Sequence, residues 1–324
     1  MSIEPLIIVG MHLDPYIILG SAVVGLLVGM TGAGGGALMT PMLILLFGVT
    51  PSSAISSDLV AAVLMRPLGA AVHMRAGTVN FKLVRWLVAG SVPAAFLGSY
   101  LLHLMHDSSA TQTNIEYFLG AALLVGAAAM VLRFVIDRRS GGGRYASITE
   151  IRPRPIPTLL VGIVGGVIVG MTSVGSGSLM VVALLFLYPS IGAGQLVGTD
   201  LTQAVPLTLA AACGALIFGH VEFGVTGSLI IGSVPAVFLG SLLSSSVPDR
   251  FVRPVIAFAI YASGLKYVQV PTQTLGWVLC ATLLACGTAW LVYARPWRVT
   301  RDTSDDEPPA GDEPSLVSVD DYGG

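Results

Sequence analysis

The sequence predicts an all-α polytopic membrane protein built from two inverted-topology repeats. Each repeat is expected to be a Gly-broken helical hairpin followed by three transmembrane helices, and one extra span follows at the C-terminal side. Of the 324 residues, 54% are hydrophobic and 10% are charged, and the mean hydropathy is +0.83. Soluble domains carry about 25% charged residues. A soluble fold of this composition would lack the polar surface to cover its core.

The apolar segments have the length that membrane crossing requires. A hydrocarbon core of about 30 Å takes about 20 helical residues to cross. Two long apolar runs, 16–48 and 157–188, are interrupted near their middle by glycine. The predicted uninterrupted spans are 58–75, 83–104, 115–136, 198–218, 225–246, 251–268 and 275–294.

The second half of the chain repeats the first with a shift of 141 residues, which becomes 142 after one insertion. The tripeptide GMT at 29–31 recurs at 170–172, and the dipeptide DL at 58–59 recurs at 200–201. The closest match joins GSVPAAFLGSYL (90–101) to GSVPAVFLGSLL (232–243). A match that stays collinear over about 75 residues indicates a duplication. The span 275–294 has no counterpart and is the predicted extra helix.

Basic residues predict which loops face the cytoplasm. If each broken run enters and returns as a hairpin, the second copy starts on the opposite side and both groups of arginines face the cytoplasm. A single crossing would place the later group outside. These two groups are Arg133, Arg138, Arg139, Arg144, Arg152 and Arg154 between the halves, and Arg250, Arg253, Arg295, Arg298 and Arg301 after them.

The resulting domain organisation is that of a multi-pass protein of the plasma (inner) membrane. The last part of the chain is acidic, rich in Pro and Gly, and without periodicity, which is typical of disorder. The predicted parts are a first transmembrane repeat (1–140), a basic cytoplasmic linker (141–156), a second repeat (157–270), an extra transmembrane helix (271–296) and a disordered acidic cytoplasmic tail (297–324).

The glycine-rich breaks, MTGAGGGALM (30–39) and MTSVGSGSLM (171–180), are the predicted substrate site. Unpaired backbone groups in lipid cost several kcal/mol each, so an unwound segment needs protein or a water-lined cavity around it. The amides that begin the following half-helix suit an anion, and we expect the two helix N-termini to face each other and form a cradle for it. The alternative is that these glycines only allow close helix packing. The predicted binding residues are Thr31, Gly32, Gly34, Gly35, Gly36, Thr172, Ser173, Gly175, Ser176, Gly177 and Ser178.

Three ionisable residues within spans are further candidates, because charges inside a membrane are usually functional. Asp58 and Asp200 occupy matched positions at the predicted starts of matched spans. Each is either a helix N-cap or a coupling site for a proton or cation. Arg66 lies in mid-span, where the other copy has Thr208. Arg66 is predicted to be a counter-charge for the substrate, and a salt bridge with one of the aspartates is the alternative.

Other classes of chemistry find little support in the sequence. The net charge is −2 and no basic stripe exists, which argues against nucleic acid as a partner. Cys213, Cys280 and Cys286 lie in apolar runs without metal-ligand spacing. No ATP-binding motif is present. We therefore expect no metal, no cofactor and no catalytic residue.

A set of paired motifs resembles the TauE/SafE sulfite-exporter family of permeases. The motifs are the two breaks, the segments SSDL (56–59) and GTDL (198–201), and the glycine pairs within 90–98 and 232–240. The resemblance covers about residues 16–294. It implies a bacterial-type plasma-membrane permease for sulfite, sulfoacetate or related sulfur-containing anions. The two breaks differ in detail, since the second has serine at 173, 176 and 178 where the first has Gly32, Gly35 and Ala37.

We therefore expect a secondary permease that moves a small anion, such as sulfite or a sulfonate, by alternating access. Its expected partners are this solute, membrane lipid, and a coupling proton or cation at Asp58 and Asp200. The alternatives are a cation or metal-ion permease that uses the same two carboxylates, a membrane enzyme for lipid-linked substrates, and a non-transporting scaffold. The sequence sets neither the direction of transport nor the oligomeric state.

The predicted topology is tested by single cysteines on a background without native cysteines. Ala146→Cys in the linker and Ala310→Cys in the tail should resist an impermeant maleimide applied to intact cells, because the neighbouring arginines hold both segments inside. Ala110→Cys, in a loop predicted to lie outside, is the control that should react. Strong labelling of position 146 or 310 would reject the hairpin interpretation and the inverted repeat with it.

Overall fold

Helices make up nearly all of the described chain. The structure, a computed structural model, describes residues 6–8, 11–31, 35–105, 109–139, 153–174, 177, 179–189, 191, 193–243 and 249–294. Within these residues the helices are α1 (Pro15–Thr31), α2 (Gly36–Phe47), α3 (Pro51–Arg75), α4 (Phe81–Leu104), α5 (Ser109–Arg139), α6 (Pro155–Thr172), α7 (Leu179–Leu187), α8 (Ala193–Phe218), α9 (Phe223–Leu243), α10 (Asp249–Tyr267) and α11 (Thr272–Ala294). The predicted all-α class is confirmed.

A short hairpin before α1 was not predicted. Strands β1 (Leu6–Ile8) and β2 (Met11–Leu13) pair in antiparallel fashion, with Leu6 opposite Leu13. Strands of three residues are too short to produce a readable alternation of polar and apolar positions. The hairpin is a local feature at the start of an otherwise helical chain.

The helices identify a multi-pass membrane protein. In the described part of the chain, six helices are long and apolar enough to cross a bilayer: α3, α4, α5, α6, α8 and α9. Helix α6 meets this criterion with 18 residues, although the sequence predicted it as one half of a broken run. Helix α7 has nine residues, which is about half of what a full crossing needs.

The two helices that carry the matched aspartates begin earlier than predicted. Helix α3 begins at Pro51 and α8 at Ala193, whereas the sequence predicted starts at 58 and 198. Proline suits the first position of a helix because its fixed φ is helical and its missing N–H is not needed there. The first turns of α3 are rich in buried serine, which lowers their hydropathy and hides the true start.

Glycines allow close packing in two equivalent pairs of helices, α4 with α6 and α1 with α9. A Cβ on Gly98 of α4 would lie 2.6 Å from the carbonyl oxygen of Val167 on α6. A Cβ on Gly240 of α9 would likewise collide with the carbonyl oxygen of Leu26 on α1. Positions 240 and 26 match 98 and 167 under the repeat, so one contact occurs twice. The closest-matching segment of the repeat is therefore a packing surface.

The order of the contacts gives the direction of these helices. Along α4, Gly90 contacts Leu159 and Gly98 contacts Val167, so residue numbers rise together on the two helices. Residue numbers also increase together along α9 and α1, since Gly232 contacts position 18 and Gly240 contacts position 26. Both pairs are therefore parallel.

Helices α3 and α8, in contrast, run antiparallel. The backbone N–H of Glu222, which follows α8, donates to Ser57 Oγ near the start of α3 at 3.2 Å. The backbone N–H of Asn80, which follows α3, donates to Thr199 Oγ1 near the start of α8 at 3.1 Å. The beginning of each helix thus lies beside the loop that follows the other. Ser57 and Thr199 immediately precede the matched aspartates.

The chain separates into two compact units, Met1–Gly276 and Trp277–Gly324. All contacts described above belong to the first unit. Most of the predicted linker (141–156) and the whole predicted tail (297–324) lie outside the described residues. The predicted domain boundaries and the sidedness of the arginines therefore stay predictions.

The glycine interfaces predict a clear difference between two Gly→Ala variants. Gly98→Ala should lower the free energy of unfolding by about 1–3 kcal/mol, because the new methyl group meets backbone that cannot move aside. The control is Gly69→Ala on α3, whose Cβ would make ordinary contact with Leu201 methyl groups at 3.7 and 3.8 Å. It should leave stability unchanged or raise it by up to about 1 kcal/mol through helix propensity. Thermal unfolding in detergent compares the two variants, and equal stabilities would contradict the close packing.

Candidate functional site

The two glycine-rich breaks interrupt the helices where the sequence predicted. Helix α1 ends at Thr31 and α2 begins at Gly36, while α6 ends at Thr172 and α7 begins at Leu179. Ser173 follows α6 in the left-handed conformation, with φ of 57°. Among the predicted binding residues, Gly32, Gly34, Gly175, Ser176, Ser178 and the side chain of Thr31 lie outside the described part of the structure.

The breaks of the two halves are in direct contact. A Cβ added to Gly36 would collide with the carbonyl oxygen and the hydroxyl of Ser173, so only glycine allows this approach. The positive end of the α2 dipole therefore meets the negative end of the α6 dipole. The sequence had suggested that two helix N-termini face each other. Within the described residues, the contact joins one N-terminus to one C-terminus.

Asp58 is the polar centre of this contact. Its Oδ2 accepts hydrogen bonds from Thr40 Oγ1 at 2.9 Å and from Ser173 Oγ at 2.7 Å. The residue has 0% exposure, and its Oδ1 is buried without a hydrogen-bond partner among the described residues. One carboxylate thus connects α2, α3 and the break that follows α6.

Neither aspartate is a helix N-cap, so that alternative is wrong. The N-cap of α3 is Thr50, and Asp58 is the eighth residue of the helix. Helix α8 begins at Ala193, which makes Asp200 its eighth residue as well. Both carboxylates lie inside helices whose backbone amides already have partners, and both are buried.

Arg66 lies within electrostatic reach of both aspartates. Its side chain is 6% exposed. Its charge interacts favourably with Asp200 and Asp58, and the interaction with Asp200 is the larger. The partners that the salt-bridge alternative requires are therefore present. A guanidinium in this position can also serve as a counter-charge, because its five donors allow it to bind several acceptors.

Asp200 is held by a second polar network. Gln203 Nε2 donates to Asp200 Oδ1 at 3.2 Å and also lies 3.2 Å from Met180 Sδ. Ser91 Oγ on α4 donates to Gln203 Oε1 at 3.3 Å. All three polar residues are buried. The side-chain amide of Gln203 thus holds the second carboxylate in place.

The remaining described break residues have mainly local roles. Thr172 Oγ1 donates to the carbonyl oxygen of Ile168 at 2.6 Å and accepts from the Val174 amide at 3.2 Å, so it stabilises the end of α6. Gly35 is the N-cap of α2, and a Cβ there would lie 3.1 Å from the terminal methyl group of Met65. Gly177 has φ of 94°, a conformation that favours glycine.

Two site residues, Thr40 and Ser91, were not predicted. Thr40 lies within the apolar α2 sequence, and its matched position is Val181. Ser91 lies in the segment GSVP, which looked like a packing motif. A lone hydroxyl in an apolar helix is a usable signal, since such groups need a partner in the membrane. That signal does not identify the partner.

A cavity of about 490 Å³ lies between α3, α4 and α8. It begins one residue beyond Arg66 along α3, and its wall includes Arg75 near the helix end. The residues that line it are mostly apolar: Pro67, Ala70, Ala71, Met74, Arg75, Val84, Thr202, Val205 and Pro206. The cavity thus extends along α3 from Pro67, the residue after Arg66, to Arg75.

The described side chains contain no group of three or more His, Cys, Asp or Glu residues that could hold a metal ion. Cys213 and Cys280 are free thiols. The chemistry of the described site is therefore that of carboxylate, guanidinium, hydroxyl and amide groups.

Comparison with known proteins gives a family and several relatives. The family described as "Sulfite exporter TauE/SafE" matches residues 17–267. The probable membrane transporter protein YjnA of Bacillus subtilis (strain 168) is 41% identical over 208 residues, which cover 64% of this chain and 81% of the relative. The probable membrane transporter protein YdhB of the same organism is 25% identical over 211 residues, covering 64% and 80%. No solved structure matches the chain.

The pairing of Arg66 predicts a double-mutant pattern. Arg66→Gln should reduce the yield of folded protein, because it leaves two buried carboxylates without their positive partner, and breaking a buried ion pair costs about 3–5 kcal/mol. Adding Asp200→Asn should recover more of the yield than adding Asp58→Asn, since Asp200 interacts with Arg66 more strongly. Fluorescence-detected size-exclusion chromatography measures the yields. Full yield for Arg66→Gln alone would show that the ion pairs do not matter for folding.

Proposed function

The chain belongs to the sulfite exporter TauE/SafE family, and from that premise we propose that it is a secondary permease for a small sulfur-containing oxyanion such as sulfite or a sulfonate. Membership of this family and the relatives named as probable membrane transporters identify a membrane transporter. The proposal adds the class of substrate and the mechanism, alternating access. It includes no catalytic step.

One observation carries the proposal: the breaks of the two halves meet at a buried polar site that contains a guanidinium. Gly36, at the start of α2, lies against Ser173, and Asp58 joins the two segments. Arg66 is buried within electrostatic reach of Asp58. A positive charge and the amides of a helix N-terminus both favour an anion. The site lies between the halves, where the substrate is bound in transporters with repeated folds.

The helix directions support alternating access with inverted repeats. If α6–α10 repeat α1–α5 in the opposite orientation, α4 and α6 must be parallel, α1 and α9 must be parallel, and α3 and α8 must be antiparallel. The contacts have all three of these directions. A repeat in the same orientation would make α4 and α6 antiparallel. Rocking of one half against the other would then expose the site to each side in turn.

The proposed binding residues are those of the two breaks together with Arg66, and the proposed coupling residues are Asp58 and Asp200. The amides beside Gly35 and Gly36 would bind the anion, with hydroxyl donors from the second break. The apolar cavity beyond Arg66 offers a route to the site from the end of α3. We place the protein in the plasma membrane with its C-terminal tail in the cytoplasm, as the distribution of arginines predicts.

A cation permease would use the same two carboxylates. Arg66 argues against it, because its guanidinium already acts as a positive partner for both carboxylates, which weakens their attraction for a second cation. Uptake of labelled sulfite and of labelled sodium into proteoliposomes distinguishes the two functions. We expect uptake of sulfite and none of sodium. The opposite result would replace the anion proposal with the cation permease.

Glycine at position 35 should matter for transport more than for folding. Gly35→Ala places a methyl group beside the amides at the start of α2, where the described neighbours are the flexible side-chain ends of Met65, at 3.1 Å, and Met39, at 4.0 Å. The folded yield should stay within about twofold of wild type, since a side-chain end can shift. The initial rate of sulfite uptake at low concentration should fall by about tenfold, the equivalent of about 1.4 kcal/mol of binding. Gly69→Ala is the matched control and should transport normally.

An unchanged rate for Gly35→Ala would mean that the glycine serves helix packing only. In that case the amides of α2 do not face the anion, and Arg66 and the hydroxyl groups of the second break would remain as the proposed anion-binding groups.

A further inference from the structure

The buried charges of the site do not balance. In the described part of the chain, three charged side chains are buried: Asp58 and Asp200, with 0% and 1% exposure, and Arg66, with 6%. Two negative charges and one positive charge sum to −1 when all three groups are ionised. A net charge enclosed by protein and lipid is costly, since the surroundings solvate it poorly.

An anion makes this imbalance worse. With a monovalent anion at Arg66, the buried charge would rise to −2. The guanidinium already interacts with two carboxylates, so little of its positive potential remains for a third negative group. The anion can bind at this site only if a positive charge enters with it.

We propose that one proton binds to Asp58 each time an anion binds, so that the transporter carries the two together. This inference rests on the proposed function. The empty site then has a charge of −1, and the site with one proton and one monovalent anion also has −1. The anion alone would give −2, which the membrane disfavours. The two states that the transport cycle must interconvert therefore carry the same charge.

Asp58 is the aspartate that can take the proton. Its Oδ1 is buried and has no hydrogen-bond partner among the described residues, whereas both hydroxyl donors bind Oδ2. Asp200 Oδ1, in contrast, accepts a hydrogen bond from Gln203 Nε2. Asp58 has an oxygen free to accept a proton from the aqueous side that the site faces, and it returns that proton to the other side.

Because of the groups that face Asp58, protonation of this carboxylate changes the strength of the contact between the two halves. The charged groups are Arg66 on α3 and, through Arg66, Asp200 on α8. Helix α2 and the break after α6 contribute the hydroxyls of Thr40 and Ser173. Hydrogen bonds to an ionised acceptor are about twice as strong as those to a neutral one. Protonation therefore weakens the connection that Asp58 makes between α2 and Ser173, and it removes one of the two negative charges that act on Arg66.

The full-length chain in proteoliposomes tests the coupling. The vesicles contain a pH-sensitive dye, and potassium with valinomycin holds the membrane potential at zero. The probe is radiolabelled methanesulfonate, which stays ionised near neutral pH, so any proton that moves is moved by the protein. We expect an inward methanesulfonate gradient to acidify the lumen with about one proton per anion.

Two variants assign the proton to its residue. Asp58→Asn resembles the protonated carboxyl and keeps an oxygen for the two hydroxyl donors, so it should exchange methanesulfonate while its proton movement falls at least tenfold. Glu116→Gln is the matched control, because this carboxylate binds Gln269 away from the site at 2.9 Å. It should keep the wild-type ratio. Proton movement at the wild-type ratio in Asp58→Asn would overturn the assignment.

The two levels of the proposal fail in different ways. If wild-type protein moves methanesulfonate without protons, the coupling is wrong and the anion permease stands. If it moves neither methanesulfonate nor sulfite, the proposed function is wrong, and infrared spectroscopy then tests the proton site by itself. A carbonyl band of a protonated carboxyl that titrates with pH and disappears in Asp58→Asn supports the site, and the absence of this band from the wild-type protein overturns it.

Should Asp58→Asn not fold, Asp58→Glu takes its place in the infrared experiment, because the carbonyl band of a glutamic acid lies at a different frequency from that of an aspartic acid.

Discussion

A helix that is interrupted inside a bilayer exposes backbone groups that no water can reach, and the rest of this structure depends on how they are enclosed. The described residues that border the two breaks are in contact with each other. Gly36 lies against Ser173, and Asp58 joins both segments through hydroxyls of Thr40 and Ser173. This contact packs the two halves of the chain against each other beside the breaks. The same contact forms the buried polar site, so the packing of the two halves also determines where the site lies.

Glycine occurs in two settings in this chain, the helix interfaces and the breaks. In α1, α4, α6 and α9 the glycines let helix backbones approach, as Gly98 and Gly240 do. At the breaks, Gly36 also permits a close approach, but to a segment that carries a hydroxyl and a carboxylate partner. The two parallel helix pairs contact α3 and α8, through α9 and α4. Helices α3 and α8 carry the three charged side chains that are buried in the described part of the chain.

Much of the fold could be predicted because hydropathy and glycine report directly on spans and breaks. Helix starts were less predictable: α3 begins seven residues before position 58, since buried serines look like an interfacial loop when hydropathy alone is considered. The site was predicted in part. Asp58, Asp200 and Arg66 are conspicuous as charges in apolar segments. The roles of Thr40 and Ser91 depend instead on hydrogen bonds to residues that lie 18 and 112 positions away in the sequence. Contacts at such separations depend on tertiary packing, which residue spacing in a single sequence does not encode.

The duplication has kept the frame symmetrical while the site became asymmetric. The packing glycines occur in both halves, but several polar residues of the site do not: Arg66 corresponds to Thr208, Gln203 to Ala61 and Thr40 to Val181. The two aspartates are shared, as is Ser91 in the form of Ser233, but the surroundings of the two aspartates differ. One is bound by hydroxyls that join the two halves, and the other by an amide and a guanidinium. Symmetry suits a motion that must expose one site to both sides of a membrane. In the proposed mechanism, asymmetry at the centre lets two matched carboxylates take different tasks, with Asp200 remaining beside Arg66 and Asp58 taking up the proton.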